Sequence, residues 1–121
     1  MELQRLAGDF AICRIGSIGD VDFTREYIFL AITPDEISLV CESDSVPQNT
    51  IAHEPGWKAL KVCGVLDFAL IGIIAKISGI LAAVQISLFA ISTYNTDYIL
   101  IKSENFDRGI RELVNNGYSI A

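Results

Sequence analysis

Basic charge is scarce in this chain. Nine Lys and Arg stand against fifteen Asp and Glu, a formal net charge of −6 over 121 residues. A nucleic-acid partner needs a basic surface that releases counterions from phosphates, and an acidic surface is disfavoured at an anionic membrane. Neither partner is expected. Histidine and cysteine are also few. His53 is the one histidine, and Cys13, Cys41 and Cys63 are widely spaced with no CxxC among them. A zinc site wants paired Cys and His ligands at short spacing, so no metal is expected. The odd, scattered cysteines sit in apolar runs and read as small buried hydrophobes in a reducing cytoplasm. The opening Met1-Glu2-Leu3-Gln4-Arg5 lacks the basic and apolar regions of a signal peptide.

Catalytic motifs are missing as well. The sequence holds no HExxH, no Gly-rich phosphate loop and no GxSxG. His53 lies in a Pro/Gly-flanked stretch and reads as a solvated loop residue. The acid pairs Asp20/Asp22 and Asp35/Glu36 fall in turn-like segments. No catalytic residue and no cofactor is expected, and an enzyme is the least favoured class.

What the chain does have is apolar content. Hydrophobic residues make up 51% of it, which excludes intrinsic disorder. Its length suits one ordinary domain, or two very small ones sharing a core. From Phe68 to Ile91 the only charge is Lys76, and a spanning helix needs about 20 mostly apolar residues. Lys76 and Gln85 would then both lie inside the bilayer at a cost of kilocalories. No Lys/Arg cluster flanks the stretch, and Ile86 to Ser92 alternates like a strand. A buried helix followed by a buried strand is expected instead.

A strand is expected over Asp9 to Ile15, then a hairpin of Tyr27–Ile32 and Glu36–Cys41 about the turn Thr33-Pro34-Asp35. Glu42 to Gly56 is polar, contains two prolines and reads as a linker. Trp57 to Cys63 reads as a strand and Ile71 to Val84 as a helix. That helix has a small-residue stripe, Gly72, Lys76, Gly79 and Ala83. The stripe is either a mildly apolar surface or a face covered by another helix across a dimer. Ile86–Ser92 and Asp97–Lys102 form a second hairpin about Thr93-Tyr94-Asn95-Thr96. Ser103 is placed as the N-cap of an amphipathic helix with Phe106, Ile110, Leu113 and Val114 on its inner face. Asn115-Asn116-Gly117 stops it, and Tyr118 to Ile120 is a last short strand. The second half thus reads β-α-β-β-α-β, the split βαβ of a ferredoxin-like α+β fold. Phe29-Leu30-Ala31-Ile32-Thr33 lies 60 residues before Phe89-Ala90-Ile91-Ser92-Thr93, so the first half reads as an abbreviated repeat of the second. The expected division is 1–52 and 53–121.

One pair of segments carries functional potential. Gly64 to Ile74 joins a strand to a helix, and Ile91 to Tyr98 is a hairpin end rich in hydrogen-bonding groups. A helix N-terminus offers free N–H groups to a carboxylate, and Gly72 lets a ligand approach it. Asp97 would meet an ammonium, with Thr93 and Thr96 supplying hydroxyls. Together they fit a free amino acid. An ordinary hairpin with a glycine at a helix start fits the same residues.

Gly72-Ile73-Ile74-Ala75, followed by Leu81 through Ile101 with its Ile91-Ser92-Thr93-Tyr94-Asn95-Thr96-Asp97-Tyr98, closely resembles the ACT domain family. The nearest branch looks like the small bacterial tandem-ACT proteins and the related CASTOR-type arginine sensors. The resemblance covers Trp57 to Ala121, and Leu6 to Pro47 is similar to the abbreviated first ACT unit of those proteins. It implies a regulatory, non-catalytic module that binds an amino acid or similar small zwitterion, commonly at interfaces between ACT units. A homodimer is expected from the Gly72, Lys76, Gly79 and Ala83 face, and from the sheet edge that such a unit exposes. Carried over residue by residue, the binding positions are Asp67, Leu70, Ile71, Gly72 and Ile73 in the strand-to-helix loop, and Thr93, Tyr94 and Asp97 at the hairpin; Thr96 joins them as a hydroxyl. Leu70 departs from the pattern, because the arginine sensors carry an acid there, which speaks against arginine. A module that docks on an enzyme or transporter and holds no ligand is the alternative.

Overall fold

The computed structural model describes residues 1–63 and 72–121. Two compact units make up the chain, one of Met1–Ala7 with Lys58–Ala121, the other of Gly8–Trp57. The expected division at 52/53 thus meets a boundary at 57/58, and the first seven residues belong with the second half.

The Gly8–Trp57 unit is built on β2 (Phe10–Ile15), β3 (Ile28–Ile32), β4 (Ile37–Glu42) and the first part of β5 (Thr50–Val62), with β1 (Glu2–Arg5) belonging to the other unit. The order is β3-β4-β2-β5, every pair antiparallel. Side chains alternate across a strand. Ala11, Cys13 and Ile15 on β2 therefore share a face with Leu39 and Cys41 on β4, and Val21 completes that core. Two short 3-10 turns, Ile18–Asp20 and Ser43–Ser45, are its helical elements among the described residues.

The segment expected as a linker is part of β5 from Thr50 onward. Pro55 and Gly56 are turn-forming residues locally, and pairing accounts for their place in a strand. Phe10 faces Trp57 while Ile12 faces Glu54, so Pro55 and Gly56 together oppose Ala11 alone. This is a β-bulge, with Gly56 at φ +83°, a place where a strand accepts such residues.

The larger unit carries the ferredoxin-like order with one addition. Strand β7 (Asp97–Lys102) pairs with both β6 (Phe89–Ser92) and β5. On the other side of β5 lies β1, antiparallel, with Leu3 opposite Val62. The final strand β8 (Ser119–Ile120) then pairs in parallel with β1. Leu3 is fully buried, and one buried side chain in four residues leaves almost no pattern in the sequence. Helices α1 (Ile73–Ala83) and α2 (Ser103–Asn115) bury Ile77, Leu81, Phe106, Ile110 and Leu113 in a core with Leu3, Leu60, Val62, Ile99 and Ile101. Gly109 lets α2 approach closely, since a Cβ there would stand 3.3 Å from Ile101 Cδ1.

Some local expectations are corrected. Val114 is 49% exposed; it lies 100° past Leu113, off the inner stripe. Ser103 is the first helical residue, and Lys102 holds the N-cap position without a side-chain capping hydrogen bond, because β7 runs straight into α2. Helix α1 spans eleven residues, and no helix among the described residues is long and apolar enough to cross a membrane.

The two hairpins share one register. Phe29 faces Val40, Leu30 Leu39, Ala31 Ser38 and Ile32 Ile37. Sixty residues on, Phe89 faces Leu100, Ala90 Ile99, Ile91 Tyr98 and Ser92 Asp97. Their turns match too. The Thr33 N–H donates to the Glu36 carbonyl at 3.0 Å and the Thr93 N–H to the Thr96 carbonyl at 2.8 Å. Both threonine hydroxyls donate to the same carbonyls, at 3.3 and 2.9 Å.

Candidate functional site

Helix α1 begins at Gly72, which caps it in the left-handed region at φ +79°. A residue with a Cβ is strained there, and glycine is not. The Gly72 carbonyl accepts from the Lys76 N–H at 2.8 Å. Gly72 has no side chain to satisfy the first-turn amides, which an α-helix leaves without internal partners. That end of α1 opens on a cavity of about 170 Å³, whose walls include Gly72, Ile73, Lys76, Asn116, Gly117 and Tyr118. Asn116 and Gly117 end α2, with Gly117 at φ +96°. The positive end of one helix dipole and the negative end of another therefore border one space.

Tyr118 is 7% exposed and packs in the core of the larger unit. The Lys76 ammonium lies 5.9 Å from the centre of its ring, within cation–π range. Burial pushes the Tyr118 phenol above its ordinary pKa. Among the described residues no carboxylate forms an ion pair with Lys76.

The hairpin residues have other duties. Thr96 is buried, and its hydroxyl donates to the Val62 carbonyl at 2.6 Å. That bond ties the β6–β7 turn to the last residue of β5, where the chain leaves toward the α1 loop. The Thr93 hydroxyl closes its own turn on the Thr96 carbonyl. Tyr94 is 82% exposed. Asp97 begins β7 opposite Ser92 and is half-buried. Of the expected binding residues, the structure brings Gly72 and Ile73 to the cavity, and the hairpin residues are not among its described walls. Asp67, Leu70 and Ile71 lie outside the described residues. Met1, Lys76, Asn116, Gly117 and Tyr118 were missed as cavity walls. Asn116 and Gly117 had registered only as a helix stop, and nothing local links them to Gly72.

The titratable groups elsewhere are structural. Cys13 and Cys41 are buried free thiols, and desolvation raises both, Cys41 to about 12. Cys63, expected to be buried, is only partly so, because it follows the last residue of β5. Asp22 is held below the usual carboxylate range, first by the Thr24 hydroxyl at 2.6 Å, then by the Thr24 amide and Arg25. Arg25 also reaches Asp44 at 3.1 Å. No group of three or more metal-type ligands occurs among the described residues.

The sequence model of the ACT domain family matches residues 52–114, more than half of the chain. The chain belongs to the ACT domain family. Its fold is similar to that of protein Atu0741 from Agobacterium tumefaciens, with a TM-score of 0.87 and 28% identity over 99% of this chain and 91% of that one. It is similar to VC0802 from Vibrio cholerae, described as of unknown function and possibly a transport protein, with a TM-score of 0.73 and 22% identity over 94% and 88% of the two chains. The aspartate kinase of Clostridium acetobutylicum, described as an allosteric enzyme, shares the fold at a TM-score of 0.62 and 13% identity, over 88% of this chain and 32% of the kinase. No curated protein matches the chain.

Proposed function

We propose that this chain is a regulatory, non-catalytic protein that binds a free amino acid or similar small zwitterion. The observation that carries the reading is the small cavity at the glycine-capped N-terminus of α1, in a chain of the ACT domain family. First-turn amides there suit an α-carboxylate, and the carbonyl end of α2 suits an α-ammonium. The resemblance to the tandem-ACT and CASTOR-type sensors supports the same conclusion, as does the allosteric character of an aspartate kinase sharing the fold. The resemblance adds the loop residues Asp67, Leu70 and Ile71 and the hairpin residues Thr93, Tyr94, Thr96 and Asp97 as proposed binding positions, the hairpin ones lying outside the cavity's described walls. The protein works as a cytoplasmic homodimer, consistent with its free thiols and with the exposed small-residue face of α1.

Thermal-shift measurements against the twenty amino acids at millimolar concentration test the reading. A ligand raises the melting temperature by mass action. If none does, the binding function is wrong. The second reading, docking on an enzyme or transporter without a ligand, is favoured by that same α1 face. Gly79 has nothing within 4 Å of where its Cβ would be, and Ala75, Lys76 and Ala83 beside it are exposed.

A further inference from the structure

We propose that the homodimer forms along the outer edge of β3, two copies pairing antiparallel with Leu30 opposite the partner's Leu30. The inference rests on the homodimer of the reading above and names its surface. In the Gly8–Trp57 unit β3 ends the strand order, and among the described residues β4 is its one neighbouring strand. Proteins blunt such edges with lysine, proline, bulges or very short strands, because an edge is a template for another chain. None of these devices occurs in β3. Its five residues, Ile28-Phe29-Leu30-Ala31-Ile32, are all apolar, and they pair with β4 without a register shift.

The ladder fixes which backbone groups face outward. In an antiparallel pair, successive residues turn their N–H and C=O alternately toward and away from the neighbour. The Thr33 N–H donates to the Glu36 carbonyl, and the Tyr27 N–H to the Glu42 carboxylate, both on the β4 side. Phe29 and Ala31 share that phase, so Ile28, Leu30 and Ile32 turn their backbone groups away from β4. With Leu30 opposite the partner's Leu30, Ile28 falls opposite the partner's Ile32. Every outward residue then meets an outward residue, and each can give and accept one backbone bond. Side chains mate in the same register, since directly opposite residues share a face. Ile28 and Leu30 pack against the core of their unit, while Ile32 is 60% exposed and would be covered by the partner's Ile28. On the other face Phe29 meets the partner's Ala31, a large residue beside a small one. Charge favours a second copy here as well. A chain of net −6 repels itself, and β3 is a charge-free stretch on which two copies can touch. The edge strand of the other hairpin offers less. Strand β6 has four residues, and the Thr93 N–H bond sets its phase so that only Ala90 and Ser92 turn outward.

Sedimentation of the full chain over a concentration series tests this. The wild type should reach twice the chain mass. Ile32→Pro removes an outward N–H that β4 does not use, and Ala31→Lys sets a charge beside the partner's Phe29. Each should raise the dimer's dissociation constant about tenfold or more, and Gly79→Arg on α1 should leave it unchanged. Ala31 and Ile32 are exposed, so both variants should keep the circular dichroism of the wild type. Amide hydrogen exchange is the second readout. The Leu30 and Ile32 amides should slow as concentration rises, and those of Ala90 and Ser92 should not. A dimer that Gly79→Arg dissociates and the β3 variants leave intact overturns the β3 surface and leaves the homodimer standing. A wild type that stays a single chain at every concentration overturns both.

Discussion

Replacing Thr96 with valine separates the architecture of the hairpin from its possible contact with ligand. Valine keeps the shape of threonine and removes one hydroxyl. In the folded protein that hydroxyl is buried and donates 2.6 Å to the Val62 carbonyl. The Thr93 N–H and hydroxyl bonds to the Thr96 carbonyl involve backbone oxygen and survive the change. The loss is therefore one buried hydrogen bond, with an acceptor deprived of its partner, about 1–3 kcal/mol. For a chain of this size each kcal/mol moves the melting temperature by about 4 °C. Urea unfolding with an unchanged slope should show the lower midpoint. If Thr96 acts only through this bond, the affinity of the folded variant for its amino acid stays at the wild-type value. Stability within about 0.5 kcal/mol of wild type would refute the assigned bond. A tenfold loss of affinity in a fully folded variant would show that the hydroxyl meets the ligand.

Further outcomes follow from the same geometry. Gly79→Ala should stabilise α1 by about 1 kcal/mol, since the position is helical, exposed and free of neighbours; chemical denaturation checks it, and sedimentation of Gly79→Arg checks the homodimer, which should dissociate if this face is its interface. Gln85→Gly should stabilise by roughly 1 kcal/mol, because Gln85 sits at φ +61° just past the end of α1, where its N–H bonds Ala82 and the Ile86 N–H bonds Leu81 in a Schellman motif that favours glycine. Alkylation at pH 8 should label Cys63 first and reach Cys13 and Cys41 only on unfolding. Cys41 titrates near 12 when folded, against 9.0 for an unperturbed thiol, so its protonated form is favoured by folding. Its contribution is whole below about pH 9 and is lost as pH rises from there toward 12, and Cys41→Ala should flatten that alkaline decline in melting temperature.

Strong periodicity made the second half legible. Strand β7 runs over Asp97–Lys102 as expected, and α2 buries Phe106, Ile110 and Leu113, which recur at i, i+4 and i+7. The 60-residue likeness of the hairpins rested on few identities, yet four cross-strand pairs and a threonine turn repeat at that offset. Two elements were opaque for different reasons. Strand β1 has a single buried anchor, Leu3, so its place beside β5 is set by long-range pairing that no local pattern encodes. The start of β5 was hidden by Pro55 and Gly56, which signal a turn locally and form a bulge once β2 lies alongside.

The candidate site divides along the same line. Gly72 was readable because a glycine before an apolar helical run marks a backbone position with local meaning, and its φ of +79° gives that meaning. Tyr118 was not, because its sequence neighbours describe only the end of a helix. It reaches Gly72 through tertiary structure. Tyr118 N–H bonds the Leu113 carbonyl, Ser119 N–H bonds Met1, and Ala121 N–H bonds Leu3. The inserted strand β1 thus anchors the segment that carries Tyr118, and Tyr118 with the end of α2 walls the cavity onto which α1 opens. A change that loosens β1 should then act at the cavity without touching any of its walls. Leu3→Ala removes a fully buried side chain and should cost about 2–5 kcal/mol. If affinity for the amino-acid ligand also falls in the fraction that remains folded, β1 is part of the binding architecture; if stability falls alone, β1 serves only the core.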